Sequence, residues 1–318
     1  MHIESSALKV LIVCNGNKVN TKEDFKTKQP FIYEQIKSLE MLGVIFDIFL
    51  IKGKGISGYL RNYSSLKKYV KQMRPDLIHA HYGLSGLLAN LQRSVPVITT
   101  FHGSDINVWN NRIYSWFAAF LSRDNIFVNI NMPAKIKYKR KINIIPCGVD
   151  SKMFFPVDMK KARTEVGLNE HSKYALFSSS FDNKIKNYQL ALSSIESAST
   201  CIELLELKNR SRQDVNLLLN SVDLLIMTSF SEGSPQIIKE AMLCNCPILS
   251  VDVGDVKSVF GDVEKCFIVP YDAKKIGYDI DLIVKNKNKT NGREAVMKFS
   301  LESIASNIYQ VYVRALEK

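Results

Sequence analysis

At 318 residues, with 46% hydrophobic and 23% charged positions, the chain is long enough for two ordinary domains and too apolar to be disordered. No apolar run reaches the ~18 residues of a membrane span, and the opening Met1-His2-Ile3-Glu4-Ser5-Ser6 lacks the basic-then-apolar pattern of a secretory leader. The net charge of +12 is uneven: residues 1–150 hold 21 Lys+Arg against 10 Asp+Glu, and residues 151–318 hold 22 against 21. A basic half admits an anionic bilayer or a polyanionic substrate as partner, beside an ordinary solvated surface. No zinc finger, recognition helix or RNA-binding signature accompanies it, so a nucleic-acid partner is not expected. The six cysteines are scattered without metal-type pairing, and Cys244 and Cys246 are too close for C-x2-C ligation. Buried thiols and a reducing, cytoplasmic setting are expected.

In chain order, strands are expected at 9–14, 44–51, 76–80, 97–100, 125–130 and 142–145, with helical patterns such as 31–42 and 64–73 between them. The periodicity breaks over Cys147-Gly148-Val149-Asp150-Ser151, and Pro156 lies just beyond. Strands resume at 174–178, 201–207, 223–228, 247–251 and 266–269, with a helical pattern at 188–195. An Asn- and Lys-rich loop at 286–291 precedes a last helix, 294–316, whose Ile304, Ile308, Val311 and Leu316 recur at near-helical spacing. Strands alternating with helices imply parallel sheets with right-handed crossovers. The expected fold is therefore α/β, with two doubly wound, Rossmann-like domains at 1–152 and 153–293 and a terminal helix at 294–318.

In such sheets ligands bind beyond the carboxyl ends of the strands. Polar loops stand at five of those ends: Asn15-Gly16-Asn17, His81-Tyr82-Gly83, His102-Gly103-Ser104-Asp105, residues 178–187, and the loop around Glu232. Five polar loops at five strand ends argue for one cleft between two facing domains. Taken singly they are ambiguous. Gly16 is a phosphate-proximal turn or only a turn. His102 is a donor to a sugar hydroxyl or a structural histidine, and His81 and Asp105 share that ambiguity. Within Lys184-Ile185-Lys186-Asn187, a lysine opening a helix suits a diphosphate, although a lone lysine is more often solvated.

The most informative stretch is Ser229-Phe230-Ser231-Glu232-Gly233-Ser234-Pro235-Gln236-Ile237-Ile238-Lys239-Glu240-Ala241. It reads as strand end, tight loop and helix start, with small residues whose amides suit a phosphate. Glu232 falls on the loop and Glu240 about two turns into the helix, on the same broad face. This grouping resembles the E-x7-E motif of retaining family-4 glycosyltransferases with the two-Rossmann-domain GT-B architecture. Further matching pieces are 76–86 (DLIHAHYGLSG), 99–105 (TTFHGSD), 144–150 (IIPCGVD), Lys186-Asn187 and 228–256.

The resemblance implies an interdomain cleft, a nucleotide-diphosphate sugar held mainly by the C-terminal domain, and a last helix that crosses back to the N-terminal one. Lys186 would bind the diphosphate, Glu240 the ribose, and Glu232 with Gly233, Ser234, Pro235 and Gln236 the donor sugar. His102 would sit at the reacting centre, Gly16 on the phosphate side, and Asn209 beside the base, with His81 and Asp105 toward the acceptor. Ser179-Ser180 stands where the family carries Gly-Arg, so Lys184 is expected to substitute or the diphosphate to be held less firmly. No Asp-x-Asp cluster sits at a strand end of the donor region, so neither metal nor other cofactor is expected. The acceptor is expected to be a glycan or a lipid-linked sugar of cell-surface polysaccharide synthesis, at the inner face of the membrane. A sugar-nucleotide epimerase of the same architecture and a non-catalytic module for membranes or polyanions remain the competing classes.

Overall fold

The computed structural model describes residues 7–286 and 289–317; residues 1–6 and part of the expected 286–291 loop lie outside the described residues. The chain divides into two compact units, one running to Gly148 and resuming at Leu301, the other spanning Val149–Ser300.

In the first unit six strands form one sheet: β1 Lys9–Asn15, β2 Ile45–Ile51, β3 Leu77–His81, β4 Val97–Phe101, β5 Asp124–Phe127 and β6 Ile142–Ile144. All pair in parallel, in the order β2-β1-β3-β4-β5-β6. Val10 through Cys14 are wholly buried, as a central strand covered on both faces requires. At the edges, β2 and β6 are part-exposed. The segment expected as strand to 130 stops at Phe127, because the Asn129 side chain accepts the Asn131 amide (2.7 Å) and turns the chain.

The second unit holds β7 Tyr174–Phe177, β8 Glu203–Leu205, β9 Leu224–Met227, β10 Ile248–Val251 and β11 Cys266–Val269, also all parallel, in the order β11-β10-β9-β7-β8. Edge strand β8 pairs only with β7, so of the expected 201–207 only three residues are strand. Buried Tyr174, Leu176, Leu225 and Met227 form one core of this unit, and Ala175, Phe177, Leu224 and Ile226 the other, one on each face of the sheet. Cys244 and Cys246 lie in the first of these, and burial pushes the Cys244 thiol up to about 12.

The final helix differs from expectation. Gly292–Val296 is a separate short helix, and Leu301–Glu317 starts anew. Between them Met297–Phe299 tightens into a 3-10 turn, the Phe299 carbonyl accepts the Val149 amide (3.0 Å), and Ser300 bridges to Val149. That pairing interrupts the helical ladder. Helix Leu301–Glu317 buries Ile304, Ile308, Val311 and Tyr312 within the first unit, whereas Leu316 is exposed. The expected exposed loop also differs at Thr290, which is buried with its amide on the Asn245 carbonyl (3.2 Å).

Two glycines of helix Gly83–Asn90 set its distance from its neighbours. A Cβ at Gly83 would lie 2.1 Å from Ser115 Oγ and 2.9 Å from its Cα, and one at Gly86 would lie 2.5 Å from the Thr99 side chain. Gly83→Ala and Gly86→Ala should therefore each lose about 1–3 kcal/mol by overpacking, despite alanine's better helix propensity. Urea unfolding followed by tryptophan emission tests this, since both tryptophans, Trp109 and Trp116, belong to this unit. Unchanged midpoints would mean that the helix has room to move.

Candidate active site

In the second sheet β7 is flanked by β8 and β9, so the strand order reverses there and the connections after β7 and β9 diverge. The first connection turns through Lys184–Lys186, where the Asn183 side chain accepts the Ile185 amide, into helix Tyr188–Ser197. Asn187 is left-handed at φ 56°, which lets the chain reverse into that helix. The two loops are stitched together by Thr228 Oγ1, which donates to the Lys186 and Asn187 carbonyls (3.1 and 2.9 Å). The Phe230 amide adds a bond to the Ile185 carbonyl (2.9 Å). Across this seam Lys186 Nζ meets Glu232 Oε1 at 2.6 Å, with both side chains mostly buried.

Glu232 is followed by a braced turn. Fully buried Lys239 donates to Ser234 Oγ (2.6 Å), Ser234 donates to Asp255 Oδ2 (2.6 Å), and Lys239 and Asp255 form an ion pair at 3.3 Å. Gly254, at φ 62°, lets its loop approach Gly233 so closely that a Cβ would stand 2.8 Å from the Gly233 carbonyl. Pro235 caps helix Gln236–Leu243. Glu240 lies only five residues into that helix, little more than one turn, and is buried against Arg212 in an ion pair. Arg212 opens helix Arg212–Ser221 behind a Ser211–Asp214 capping box, and its guanidinium lies 4.7 Å from the Phe154 ring. Asn209 is exposed at φ 52°, and the adjacent Lys208 ties its loop to Asp182 (2.9 Å).

In the first sheet the reversal lies between β1 and β3. A cavity of about 330 Å³ opens there, its wall including Asn15, Gln29, Tyr59, Tyr82, Ser104 and Asp105. Asn15 donates to the Tyr59 hydroxyl (2.9 Å), and Gln29 donates to the Asn15 carbonyl (3.1 Å). Asp105 is buried, and its carboxylate accepts the amides of Gly83, His102 and Gly103 at 3.1, 3.2 and 2.9 Å. Three amides thus fix two loops that carry unusual backbone, Tyr82 at φ 74° and Gly103 at φ 122°.

Three histidines stack behind this wall. His79 bonds to the Tyr312 hydroxyl and to Thr100 Oγ1, each at 2.6 Å, and His81 Nδ1 bonds to His102 Nε2 at 2.9 Å. Burial pushes the imidazoles of His79 and His102 down to about 3, and burial with the neighbouring histidines holds His81 well below the ordinary range. All three are neutral near pH 7. Burial pushes Asp105 the other way, up to about 6, against the pull of the amides.

The expected site residues therefore fall into two groups. Lys186 and Glu232 meet directly, and Gly233, Ser234, Pro235 and Gln236 form the turn beside them. Lys184 is exposed at the outer end of its turn. The two expected acceptor contacts, His81 and Asp105, are both buried. His81 is fully buried beneath part-exposed His102, and the Asp105 carboxylate is occupied by amides. Gly16 is a glycine because a Cβ would meet the Leu50 side chain at 2.5 Å; its amide bonds to the Ile51 carbonyl. Close packing on β2, not a left-handed turn, explains it. Sequence reasoning missed Arg212, Lys239, Asp255 and Tyr82. The discernible signal was Lys239, a charge on the apolar face of a short helix.

These two sheets and their divergent loops define a two-domain α/β protein of GT-B architecture. Sucrose-phosphate synthase from Thermosynechococcus elongatus superimposes with a TM-score of 0.82 at 17% identity, covering 98% of this chain and all of that one. HepE of Anabaena, crystallised with UDP and glucose, gives 0.75 at 15% identity over 96% of this chain and all of that one. The description "Glycosyltransferase Family 4" matches residues 10–152, and "Glycosyl transferases group 1" matches residues 203–296. The chain belongs to the family-4 glycosyltransferases. TuaC of Bacillus subtilis strain 168, named provisionally as a teichuronic acid biosynthesis glycosyltransferase, is 25% identical over 244 residues. That match covers 67% of this chain and 63% of TuaC, so it spans less than two thirds of the relative's length.

Because the histidines titrate lower in the fold than the ~6.5 of a free imidazole, their stabilising effect is full above that value and is lost as pH falls. Fully buried His79 and His81 should each remove up to about 1.4 kcal/mol per pH unit below ~6.5. Asp105, raised in the fold, works in the opposite direction between its ordinary carboxylate range and about 6, but it is a single group. Urea midpoints read by tryptophan emission should drop between pH 7 and pH 5; a flat profile would show that the imidazoles are not held neutral.

Asp255→Ala should destabilise the second unit by about 3–5 kcal/mol, by stranding the Lys239 ammonium. The double variant Asp255→Ala with Lys239→Met should recover most of that loss. A double-mutant cycle with no coupling would remove the pair from the bracing of the Glu232 loop.

Proposed function

We propose that the chain is a retaining glycosyltransferase that moves a sugar from a nucleotide-diphosphate sugar to a glycan or lipid-linked acceptor of cell-surface polysaccharide synthesis. The observation that carries this reading is Lys186 held against Glu232 where the second sheet's strand order reverses. A cation there meets a diphosphate, and the carboxylate beside it accepts sugar hydroxyls. In this reading Glu240, steadied by Arg212, faces the ribose, and Asn209 flanks the base. The first unit's cavity takes the acceptor. Domain limits of 1–152, 153–293 and 294–318 belong to the same proposal. TuaC's name and the UDP and glucose of HepE support the class of donor and product.

In the reaction the bond from the donor's anomeric carbon to the diphosphate oxygen breaks. The acceptor hydroxyl oxygen bonds to the same face of that carbon, and its proton passes to the departing diphosphate. No covalent nucleophile is needed; Asp105, the carboxylate nearest His102 in sequence, is bonded to three amides. Lys186 and the turn at Gly233–Gln236 stabilise the leaving diphosphate, and the bracing by Lys239 and Asp255 keeps them in place before the donor arrives. Neutral His102 acts as a hydrogen-bond partner to the sugar, with no charge of its own to contribute.

A thermal-shift panel of UDP-, GDP- and ADP-sugars tests the reading, since a ligand at ~100 times its dissociation constant adds about 2.7 kcal/mol. One nucleotide should stabilise the protein. Lys186→Ala should then lower turnover far more than Lys184→Ala, and Glu240→Ala should weaken donor binding by about 1.5–3 kcal/mol. If Lys184→Ala is the more damaging change, the outer lysine holds the diphosphate. No shift with any sugar nucleotide, or conversion of one to its epimer without acceptor, would overturn the reading.

A further inference from the structure

Helix Arg112–Leu121 is turned inside out relative to an ordinary surface helix. Its small residues Ser115, Ala118 and Ala119 are buried, while Ile113, Phe117 and Phe120 are 53%, 44% and 55% exposed. Trp109, just ahead of it, is 76% exposed, with the Arg112 guanidinium 4.9 Å from its ring. Trp116 stacks on Phe120 at 5.4 Å and meets Phe117 edge-on at 5.2 Å, so these three rings adjoin in an apolar ridge. A ridge of this kind on a surface marks an interaction site.

A basic segment lies along the same helix. Lys135 Nζ donates to Asn107 Oδ1 (2.7 Å), before the helix begins. The Tyr138 hydroxyl donates to the Ala119 carbonyl (2.8 Å), and Lys141 Nζ to the Ser122 carbonyl (3.1 Å), at the helix's far end. These bonds run the chain from 135 to 141 beside the ridge and leave Lys137, Lys139 and Arg140 exposed. Residues 106–149 contain seven Lys+Arg and a single carboxylate, Asp124, which is buried and bonded to Asn143.

We propose that the first unit docks on an anionic lipid surface through this aromatic ridge and the basic segment beside it. A second copy of the chain would bring the same cations against these and be repelled. A nucleic-acid backbone would satisfy the lysines and leave Ile113, Phe117 and Phe120 in water. An anionic bilayer satisfies both halves: aromatic rings settle at the headgroup boundary and cations meet the lipid charge. No helix among the described residues is long and apolar enough to cross a membrane, so the contact is shallow and in-plane. The inference stands apart from the choice of donor sugar, and its test uses no sugar nucleotide.

The full-length protein is mixed with vesicles of phosphatidylcholine alone or with about 30% phosphatidylglycerol, and is followed by co-sedimentation and tryptophan emission. Both tryptophans lie on this face, so emission reports the contact itself. Anionic vesicles should sediment the protein and shift emission to the blue. Raising salt from about 50 to 500 mM should cut binding roughly tenfold or more. Phe117→Glu with Phe120→Glu should abolish binding, as should Lys139→Glu with Arg140→Glu. The control pair Lys67→Glu with Lys68→Glu removes equal charge from exposed positions of helix Tyr63–Met73 and should change little. Three outcomes overturn the proposal: equal binding to neutral vesicles, equal loss in the control pair, or a dimer in light scattering that Phe120→Glu dissolves.

Discussion

Strand order reverses once in each sheet, between β1 and β3 in the first and between β7 and β9 in the second. Only at such a reversal do two neighbouring strand-to-helix connections leave toward opposite faces and open a crevice between them. The polar side chains of the two candidate crevices stand at those strand ends and connections. Lys186 follows β7 and Glu232 follows β9; Asn15 ends β1 and Tyr82 follows β3. Their proximity is thus a property of topology before it is one of side-chain packing. The packing then has to hold loops that the sheet itself does not restrain. Thr228 and the Asp105 carboxylate do so by tying each loop to its neighbour through backbone groups.

The two crevices solve opposite electrostatic problems. Around the Glu232 loop three cations face three carboxylates in pairs: Lys186 with Glu232, Arg212 with Glu240, and Lys239 with Asp255. An unpaired charge in such a place would cost several kcal/mol of desolvation, so pairing lets the charges persist before any ligand is bound. In the proposed reaction a diphosphate entering there would give Lys186 a second anion without moving it far, so little reorganisation would be required when charge develops on the leaving group. The first unit's crevice is backed instead by His79, His81 and His102, held neutral by burial. One crevice is lined by paired charges, and the other is backed by neutral rings. That division suits a reaction in which the donor carries the negative groups and the acceptor carries the nucleophilic oxygen.

Eleven strands were legible because parallel-sheet strands are continuous apolar runs, and their ends rarely moved by more than two residues. The boundaries failed where something other than periodicity decided: the Asn129 turn after β5, and the Val149 bridge that splits the expected last helix. In the site, Glu232 and Lys186 were legible because polar residues at strand ends have few structural reasons to be there. The burial of Glu240 was not, since spacing along a helix says nothing about the Arg212 that arrives from another element. His81 and His102 are adjacent to equivalent strand ends and look alike in sequence. Which one is covered depends on how β3 and β4 are layered, and only the fold determines that.

The aromatic ridge shows the same limit from the other side. RIYSWFAAFL is apolar enough to be read as a helix with its large residues in the core. The core has no room for them. Gly83 brings its helix so near Ser115 that a single added methyl would collide, so the inward face of helix Arg112–Leu121 can hold only serine and alanine. Ile113, Phe117 and Phe120 are then forced outward by the same close contact that positions the Gly83 loop, whose amide is fixed by Asp105. Enlarging the interior to bury them would shift that loop and the cavity wall at Tyr82. The geometry that shapes the first unit's crevice therefore also keeps the apolar ridge on the surface, so the two features are linked through a single helix contact.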